Sequence, residues 1–151
     1  MIVSPISGII KEIKTFENKY HKVIISGPVH NYSFFSPISG YINDLYFEQM
    51  QYERVEQNKT IYTFFPNAAG SVELTFDNEE GIEITTLINI HKPRSFNEIE
   101  FQVDVDDYVV QGQPIGEMLY DALVILFIPW NYTINMKKNE TVKGGKTIIA
   151  I

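Results

Sequence analysis

The chain reads YVVQGQPIGEMLYDALVILFIP from Tyr108 to Pro129, and this stretch decides the fold class. Its QGQP segment, residues 111–114, predicts a turn, because glycine tolerates a positive φ and proline fixes φ where the next strand begins. The apolar run from Ala122 to Ile128 is too short to cross a membrane and is typical of a strand buried on both faces. Asp121 stands at the head of that run, and Asp121-Ala122-Leu123 contains no nucleophile.

Short apolar runs alternate with turn residues along the rest of the chain, and no stretch keeps a helical period. We therefore predict a mainly β fold, a compact barrel or sandwich of the barrel-sandwich hybrid kind, formed by one domain over residues 1–151. The polar segment Glu48–Asn58 is expected to form a long loop or one short helix, and His91–Phe96 a loop. Further strands are predicted at Tyr20–Ser26, Asn31–Phe35, Thr60–Phe65, Ser71–Phe76, Ile82–Ile90, Ile99–Val103 and Thr133–Met136.

Two features of the sequence occur twice. The five residues Ser4-Pro5-Ile6-Ser7-Gly8 recur as Ser36-Pro37-Ile38-Ser39-Gly40, and each copy precedes a strand-like segment. A Val, a Gly-centred turn and an Ile likewise follow one another from Val109 to Ile115 and from Val142 to Ile148. Proline and glycine punctuate turns, so these repeats predict duplicated corners and internal pseudo-symmetry.

Composition excludes several classes of function. The net charge is −7 and no Lys/Arg run exceeds Lys137-Lys138, so nucleic acid is not an expected partner and an anionic membrane is disfavoured. The absence of Cys removes disulfides and thiolate-ligated metals. The N-terminus MIVSPISG has no basic or apolar region of a signal peptide, and no transmembrane segment is evident. These features predict a cytoplasmic protein, or a virion component if the AT-rich coding bias reflects a large virus.

Few ionisable residues stand in patterns that indicate chemistry. None of His21, His30 and His91 has a second ligand at a recognisable spacing, so we predict no metal site. The acidic residues 104–107 are interpreted as a solvated turn. Asp121, beside an apolar strand, is either a general base or the exposed end of that strand.

The order and spacing of these segments resemble the phosphatidylserine decarboxylase family over nearly the whole chain. Residues 4–8 resemble its first Pro-x-Asp-Gly corner, and residues 20–40 resemble the strand, His-bearing segment and second corner that follow. Residues 109–129 resemble the segment with the Gly-Ser-Thr self-cleavage motif, and residues 139–151 the closing strand–turn–strand.

The resemblance implies an Asp, a His and a Ser that process a proenzyme by cleaving the Gly-Ser bond, which leaves a pyruvoyl group. Ser7 stands at the position of the Asp, Tyr32 at that of the His, and Asp121-Ala122-Leu123 replaces Gly-Ser-Thr. We therefore expect no catalysis, no pyruvoyl cofactor and a residual cleft at His30, Tyr32 and Asp121.

Three functions follow as hypotheses. The first is a non-catalytic binding or assembly module whose partner is another protein, a second copy or a phospholipid headgroup; nine Tyr and ten Phe suit an interface. The second is an enzyme with rearranged decarboxylase-like chemistry on His30 and Asp121. The third is a carrier of the biotinyl, lipoyl or sugar-phosphotransferase type, with Lys137 or a His as the modified residue. The phosphorylated His of the sugar-phosphotransferase family would fall near Thr86, where this chain has no His.

Overall fold

The structure is a computed structural model that describes residues 1–27, 32–64, 69–90, 97–118 and 122–151, without the side chains of Tyr32, Asn97 and Ala122. Within these ranges the chain forms strands and no helix, so no described helix crosses a membrane. In chain order the strands are β1 (Ile2–Val3), β2 (Gly8–Phe16), β3 (Tyr20–Ser26), β4 (Tyr32–Phe35), β5 (Gly40–Glu48), β6 (Met50–Glu56), β7 (Lys59–Phe64), β8 (Gly70–Asp77), β9 (Glu83–Ile90), β10 (Asn97–Phe101), β11 (Tyr108–Val109), β12 (Pro114–Met118), β13 (Ala122–Pro129), β14 (Thr141–Val142) and β15 (Ile148–Ala150).

The strands form three antiparallel sheets, which confirms the mainly β prediction as a sandwich-like packing without a closed barrel. The largest has the order β11-β5-β8-β9-β13-β3-β2-β14, the second β4-β12-β10-β7-β6, and β1 pairs with β15. Strand β13 lies inside the eight-stranded sheet, where Val124, Ile125, Leu126 and Ile128 are each at most 7% exposed. The apolar run at residues 122–128 is therefore a strand, as predicted, whose inward face is buried. On its outer face Ile125 is buried while Leu123 and Phe127 are half-exposed, so the prediction of burial on both faces is only partly right.

Aromatic side chains join the two large sheets in the core. Phe47 of β5 stacks on Tyr62 of β7 with ring centroids 4.0 Å apart, and Phe101 of β10 lies edge-on to both rings. Phe34 and Phe64 are buried in the same cluster. Burial of large rings stabilises a fold by about 1.5–3 kcal/mol each, so this contact is a main source of cohesion between the sheets.

The prediction of a loop or helix over Glu48–Asn58 is wrong. This segment holds the end of β5, the strand β6 and a turn. Gln49 has a φ of 62° and carries the chain from the eight-stranded sheet into the five-stranded one. Because β6 is an edge strand with no residue fully buried, its sequence has no alternation of polar and apolar residues.

Other boundaries are close to the predictions. Tyr20–Ser26 is confirmed, and the strand predicted at Ile99–Val103 is observed at Asn97–Phe101. The strand predicted at Thr133–Met136 is reduced to an isolated bridge between Ile134 and Ala150. The loop predicted at 91–96 lies outside the described residues.

The predicted pseudo-symmetry is visible in matched hydrogen bonds. Ser4 and Ser36 each donate from Oγ to the carbonyl oxygen two residues ahead, at 2.7 Å. The backbone nitrogen of Gly145 donates to the Ser4 oxygen at 2.8 Å, and that of Gly112 donates to the Ser36 oxygen at 2.9 Å. The two corners also bond to each other, because Val3 donates to Pro37 and Phe35 donates to Pro5.

Candidate functional site

Ser7 takes part in this pseudo-symmetry. Its Oγ accepts a hydrogen bond from the backbone nitrogen of Gly144 at 2.9 Å, and Ser39 accepts in the same way from Gln111 at 2.8 Å. Ser39 lies in the second corner, which the resemblance does not assign to processing. The shared bond gives Ser7 a structural role in holding the turn before β2 against the turn after β14.

The strand that follows Ser7 and the strand that begins at Ala122 share one end of the eight-stranded sheet. Ile9 of β2 pairs with Ser26 of β3, and Ser26 pairs with Leu123 of β13. Gly8 approaches β3 so closely that a Cβ built on it would lie 2.1 Å from the Ser26 oxygen. The backbone of Ala122 therefore lies two strands from the first corner, which corresponds to about 10 Å.

Tyr32 lies at the matching end of the five-stranded sheet, where its backbone pairs with Met118 of β12. Four peptide links separate Met118 from Ala122, so their Cα atoms are at most about 14 Å apart. The backbones of Ser7, Tyr32 and Ala122 thus lie at one end of the sandwich. His30 and Asp121 lie outside the described residues, and the connections that contain them, 28–31 and 119–121, run between strands that are paired in both sheets.

Two more connections between the sheets start and finish at this end. The pairs Phe64–Asn97 in one sheet and Gly70–Ile90 in the other flank residues 65–68 and 91–96. Ile90 also pairs with Ala122. The end that holds the family positions is therefore the end at which five connections between the two large sheets start and finish, namely 28–31, Gln49, 65–68, 91–96 and 119–121. Loops commonly carry binding groups.

His21 is a structural residue. It is 7% exposed, and its Nε2 lies 3.1 Å from the carbonyl oxygen of Trp130 and 2.9 Å from that of Tyr132. Its Nδ1 lies 2.9 Å from the Thr15 hydroxyl. Two carbonyl acceptors require a proton on Nε2, so Nδ1 accepts from Thr15 in the neutral ring. His21 thereby fixes the segment after β13 to the β2–β3 hairpin, while His91 lies outside the described residues.

The acidic residues 104–107 form an exposed turn, as predicted, and two of its carboxylates accept hydrogen bonds from the backbone of the turn. The backbone nitrogen of Asp104 donates to Oδ2 of Asp107, and that of Val105 donates to Oδ1 of Asp104, both at 2.8 Å. Among the described residues, no group of three His, Asp or Glu side chains is arranged to hold a metal ion.

Lys137 and Thr86 are the two positions that the carrier hypothesis predicts to matter. Lys137 is exposed, and its backbone nitrogen donates to Glu140 at 2.8 Å. Thr86 is 3% exposed and its hydroxyl has no hydrogen-bond partner.

The Phe side chains are not the exposed supply of aromatic rings that the interface hypothesis assumed. Among the described residues no Phe is a large exposed side chain: Phe34, Phe64, Phe76 and Phe101 are buried in the core, and the other described Phe side chains are half-buried. The exposed aromatic residues are Tyr41, Tyr46, Tyr52, Tyr108 and Trp130. Tyr108 packs edge-on against Tyr41 at 5.2 Å, and burial followed by the nearby charge of Glu79 raises the pKa of Tyr108.

A surface depression of 360 Å³ lies on the outer face of the eight-stranded sheet, at the far end of β13 from Ala122. It is lined by Tyr20, Glu73, Glu83, Thr85, Phe127, Ile128 and Pro129. None of the family positions borders it, and the sequence repeats do not indicate it.

Comparison with known proteins gives one family. The phosphatidylserine decarboxylase family model matches residues 1–150. A phosphatidylserine decarboxylase proenzyme of Amoebophilus asiaticus is 29% identical, with 99% of this chain and 67% of the relative covered. A putative archaetidylserine decarboxylase proenzyme of Methanosarcina mazei is 45% identical over 31% of this chain and 23% of the relative. No solved structure matches significantly.

These relatives correct one of our predictions. We expected a protein that is not an enzyme, whereas the relatives are named as proenzymes of decarboxylases, which are enzymes. Nothing in the described part of the chain shows that it is inactive. The resemblance seen in the order of the sequence motifs is confirmed, because the match extends from residue 1 to residue 150: the chain belongs to the phosphatidylserine decarboxylase family.

Proposed function

We propose that this chain binds a phospholipid with a serine headgroup at the end of the sandwich where the backbones of Ser7, Tyr32 and Ala122 meet. One observation supports the proposal: positions far apart in the sequence lie on strand ends that are paired with one another or joined by short connections. The headgroup class is taken from the relatives, whose names refer to phosphatidylserine and archaetidylserine.

The chemistry of the headgroup matches residue types that the sequence has in or beside the connections 28–31 and 119–121. A phosphoserine headgroup carries a phosphate, a carboxylate and an ammonium. The sequence has a carboxylate, Asp121, as a candidate partner of the ammonium, and two hydrogen-bond donors, His30 and Tyr32, as candidate partners of the two anionic groups.

A pyruvoyl group does not fit residue 122. Its formation needs a side-chain oxygen that attacks the preceding carbonyl carbon, and Ala122 carries only a methyl group at the first position of β13. We therefore expect the peptide bond between Asp121 and Ala122 to stay intact. The headgroup is then bound by side chains of this chain and not by a pyruvoyl group.

A second candidate is decarboxylase-like chemistry with His30 and Asp121 as the acid–base pair. It is favoured by the pairing of Tyr32 with Met118 and of Ser26 with Leu123, which brings the flanks of both connections together. It requires the two side chains to lie within hydrogen-bond reach of each other or of the substrate.

Binding of glycerophosphoserine, measured by calorimetry, tests the main proposal. We expect saturable binding that Asp121→Asn weakens about 10-fold, because a charge-assisted bond to the ammonium is lost. Glu53→Gln on the exposed edge strand β6 is the matched control and leaves affinity unchanged. No binding by the unchanged chain, or equal loss in both variants, contradicts the proposal.

Mass spectrometry separates the chemical alternatives on the same samples. One full-length species that hydrazine does not modify is expected, and two fragments with a reactive carbonyl contradict the reasoning about Ala122. Conversion of phosphatidylserine to phosphatidylethanolamine that both His30→Ala and Asp121→Asn abolish supports the second candidate.

A further inference from the structure

The surface depression on the outer face of the eight-stranded sheet has two unlike sides. Glu73 of β8 and Glu83 of β9 line one side, and Tyr20, Phe127 and Pro129 of β3 and β13 line the other. Phe127 packs edge-on against Tyr20, with ring centroids 5.5 Å apart. Carboxylates together with aromatic rings are the groups that recognise an organic cation.

The register of the strands places the two carboxylates at opposite ends of the depression. Thr85 of β9 pairs with Phe127, and Glu83 stands two residues before Thr85. Glu73 pairs with Leu87, which stands two residues after Thr85 on the same face. The Cα atoms of Glu73 and Glu83 are therefore about 14 Å apart, with Thr85 and Phe127 between them.

The strands around the depression supply no positive charge to these carboxylates. Strands β5, β8, β9 and β13 are adjacent or joined in one sheet, and none of them contains Lys or Arg. Glu73 and Glu83 are exposed, and the ion pairs within the described ranges do not involve them. Lys22 lies on β3 beyond Phe127, two strands away from β9. Two uncompensated negative charges thus face the depression.

We propose that this depression binds a linear aliphatic diamine. One ammonium group pairs with Glu73 and the other with Glu83, while the methylene chain lies over Thr85 and the Phe127 ring. A diamine matches the depression better than a single cation, because the two carboxylates are well separated along the strands. The volume of 360 Å³ is that of a site for a small molecule.

The diamine site is separate from the headgroup site. Phe127 stands five residues after Ala122 on β13, which corresponds to about 17 Å. None of the family positions lines the depression. Binding of a diamine therefore does not depend on binding of a serine headgroup, and each is tested independently of the other.

Calorimetry of the intact chain with cadaverine at low salt tests the proposal, and pentylamine is the matched monoamine. We expect saturable binding of one cadaverine, about 3-fold or more tighter than pentylamine, because the monoamine engages a single carboxylate. Glu73→Gln should reduce the affinity for cadaverine to that for pentylamine. Glu73→Gln with Glu83→Gln should weaken cadaverine binding about 10-fold.

Glu53→Gln with Glu117→Gln is the control, because it removes two exposed carboxylates from the five-stranded sheet. Its affinity for cadaverine should equal that of the unchanged chain, and circular dichroism confirms the fold of both double variants. Equal loss in the two double variants would show that only net charge matters and would overturn the proposal. So would equal affinities for cadaverine and pentylamine, or tighter binding of a blocked trilysine peptide, which would assign the depression to the lysines of a protein.

Discussion

Thr86 is the buried polar side chain of the described residues whose bonding is incomplete. Its hydroxyl is 3% exposed without a hydrogen-bond partner, and its cross-strand neighbours are Leu74 and Leu126. A buried group without a partner costs about 1–3 kcal/mol of stability. No feature of the sequence distinguishes this threonine from the neighbouring Thr85, since only the direction of each side chain differs.

Thr86→Val should therefore stabilise the protein. The change removes the unpaired hydroxyl and keeps the branched shape, so we expect the free energy of unfolding to rise by about 1 kcal/mol or more. Denaturant unfolding measures it. Thr85→Val on the half-exposed outer face is the control and should change stability little. A loss of stability in Thr86→Val would mean that the hydroxyl is bonded in solution.

At the scale of the element, ion pairs hold the outer face of the five-stranded sheet. Arg54 of β6 donates to both oxygens of Glu98 in β10, at 2.8 and 3.3 Å, and reaches over the intervening strand β7. Lys59 of β7 lies 3.5 Å from Glu100. Charged side chains also protect β6, which is an edge strand, from pairing with another chain.

The Arg54–Glu98 pair makes stability depend on acid pH. The hydrogen bond from Arg54 holds the pKa of Glu98 below its ordinary value. A lowered pKa contributes stability above the unfolded pKa of about 4.3, and this contribution is lost as pH falls through the lower folded pKa. Glu98→Gln should therefore flatten the fall in melting temperature below about pH 4.3.

Glu117→Gln on β12 is the control for this prediction, because Glu117 makes no ion pair within the described ranges. Its melting temperature should follow the unchanged chain across the acid range. The same acid dependence in Glu98→Gln as in the unchanged chain would show that solvent screens the pair.

At the scale of the whole molecule, the two pseudo-symmetric turns touch at two glycines. A Cβ built on Gly112 would lie 2.7 Å from the Gly145 oxygen, and one on Gly145 would lie 3.1 Å from the Gly112 oxygen. Both residues have positive φ, 81° and 73°. Each turn thus needs glycine both for its conformation and for the contact with the other.

Gly112→Ala should destabilise the protein more than the strain of its conformation explains. Gly81 has a φ of 77° with no atom within 4 Å of a built Cβ, so Gly81→Ala measures strain alone, about 1 kcal/mol. Gly112→Ala adds a backbone clash and should cost roughly 3 kcal/mol or more. Similar melting temperatures for the two variants would contradict this contact between the turns.

The sequence by itself determined the strand content, the duplicated corners and the family. Period-2 patterns, apolar runs and Pro/Gly punctuation are local properties, so the strands Tyr20–Ser26 and Ala122–Pro129 were predicted correctly. Local patterns do not distinguish a solvated edge strand from a loop, which is why β6 was missed.

The tertiary structure alone decided which distant residues meet. Residues 139–142 are far from β2 in the chain, and only the folded structure places them beside that strand. The tertiary structure likewise decided that Ser7 accepts a hydrogen bond from Gly144. It also decided that the family positions lie at one end of the sandwich. Hydrogen-bonded pairing of strands acts between residues at any separation, and only the folded chain determines those pairs.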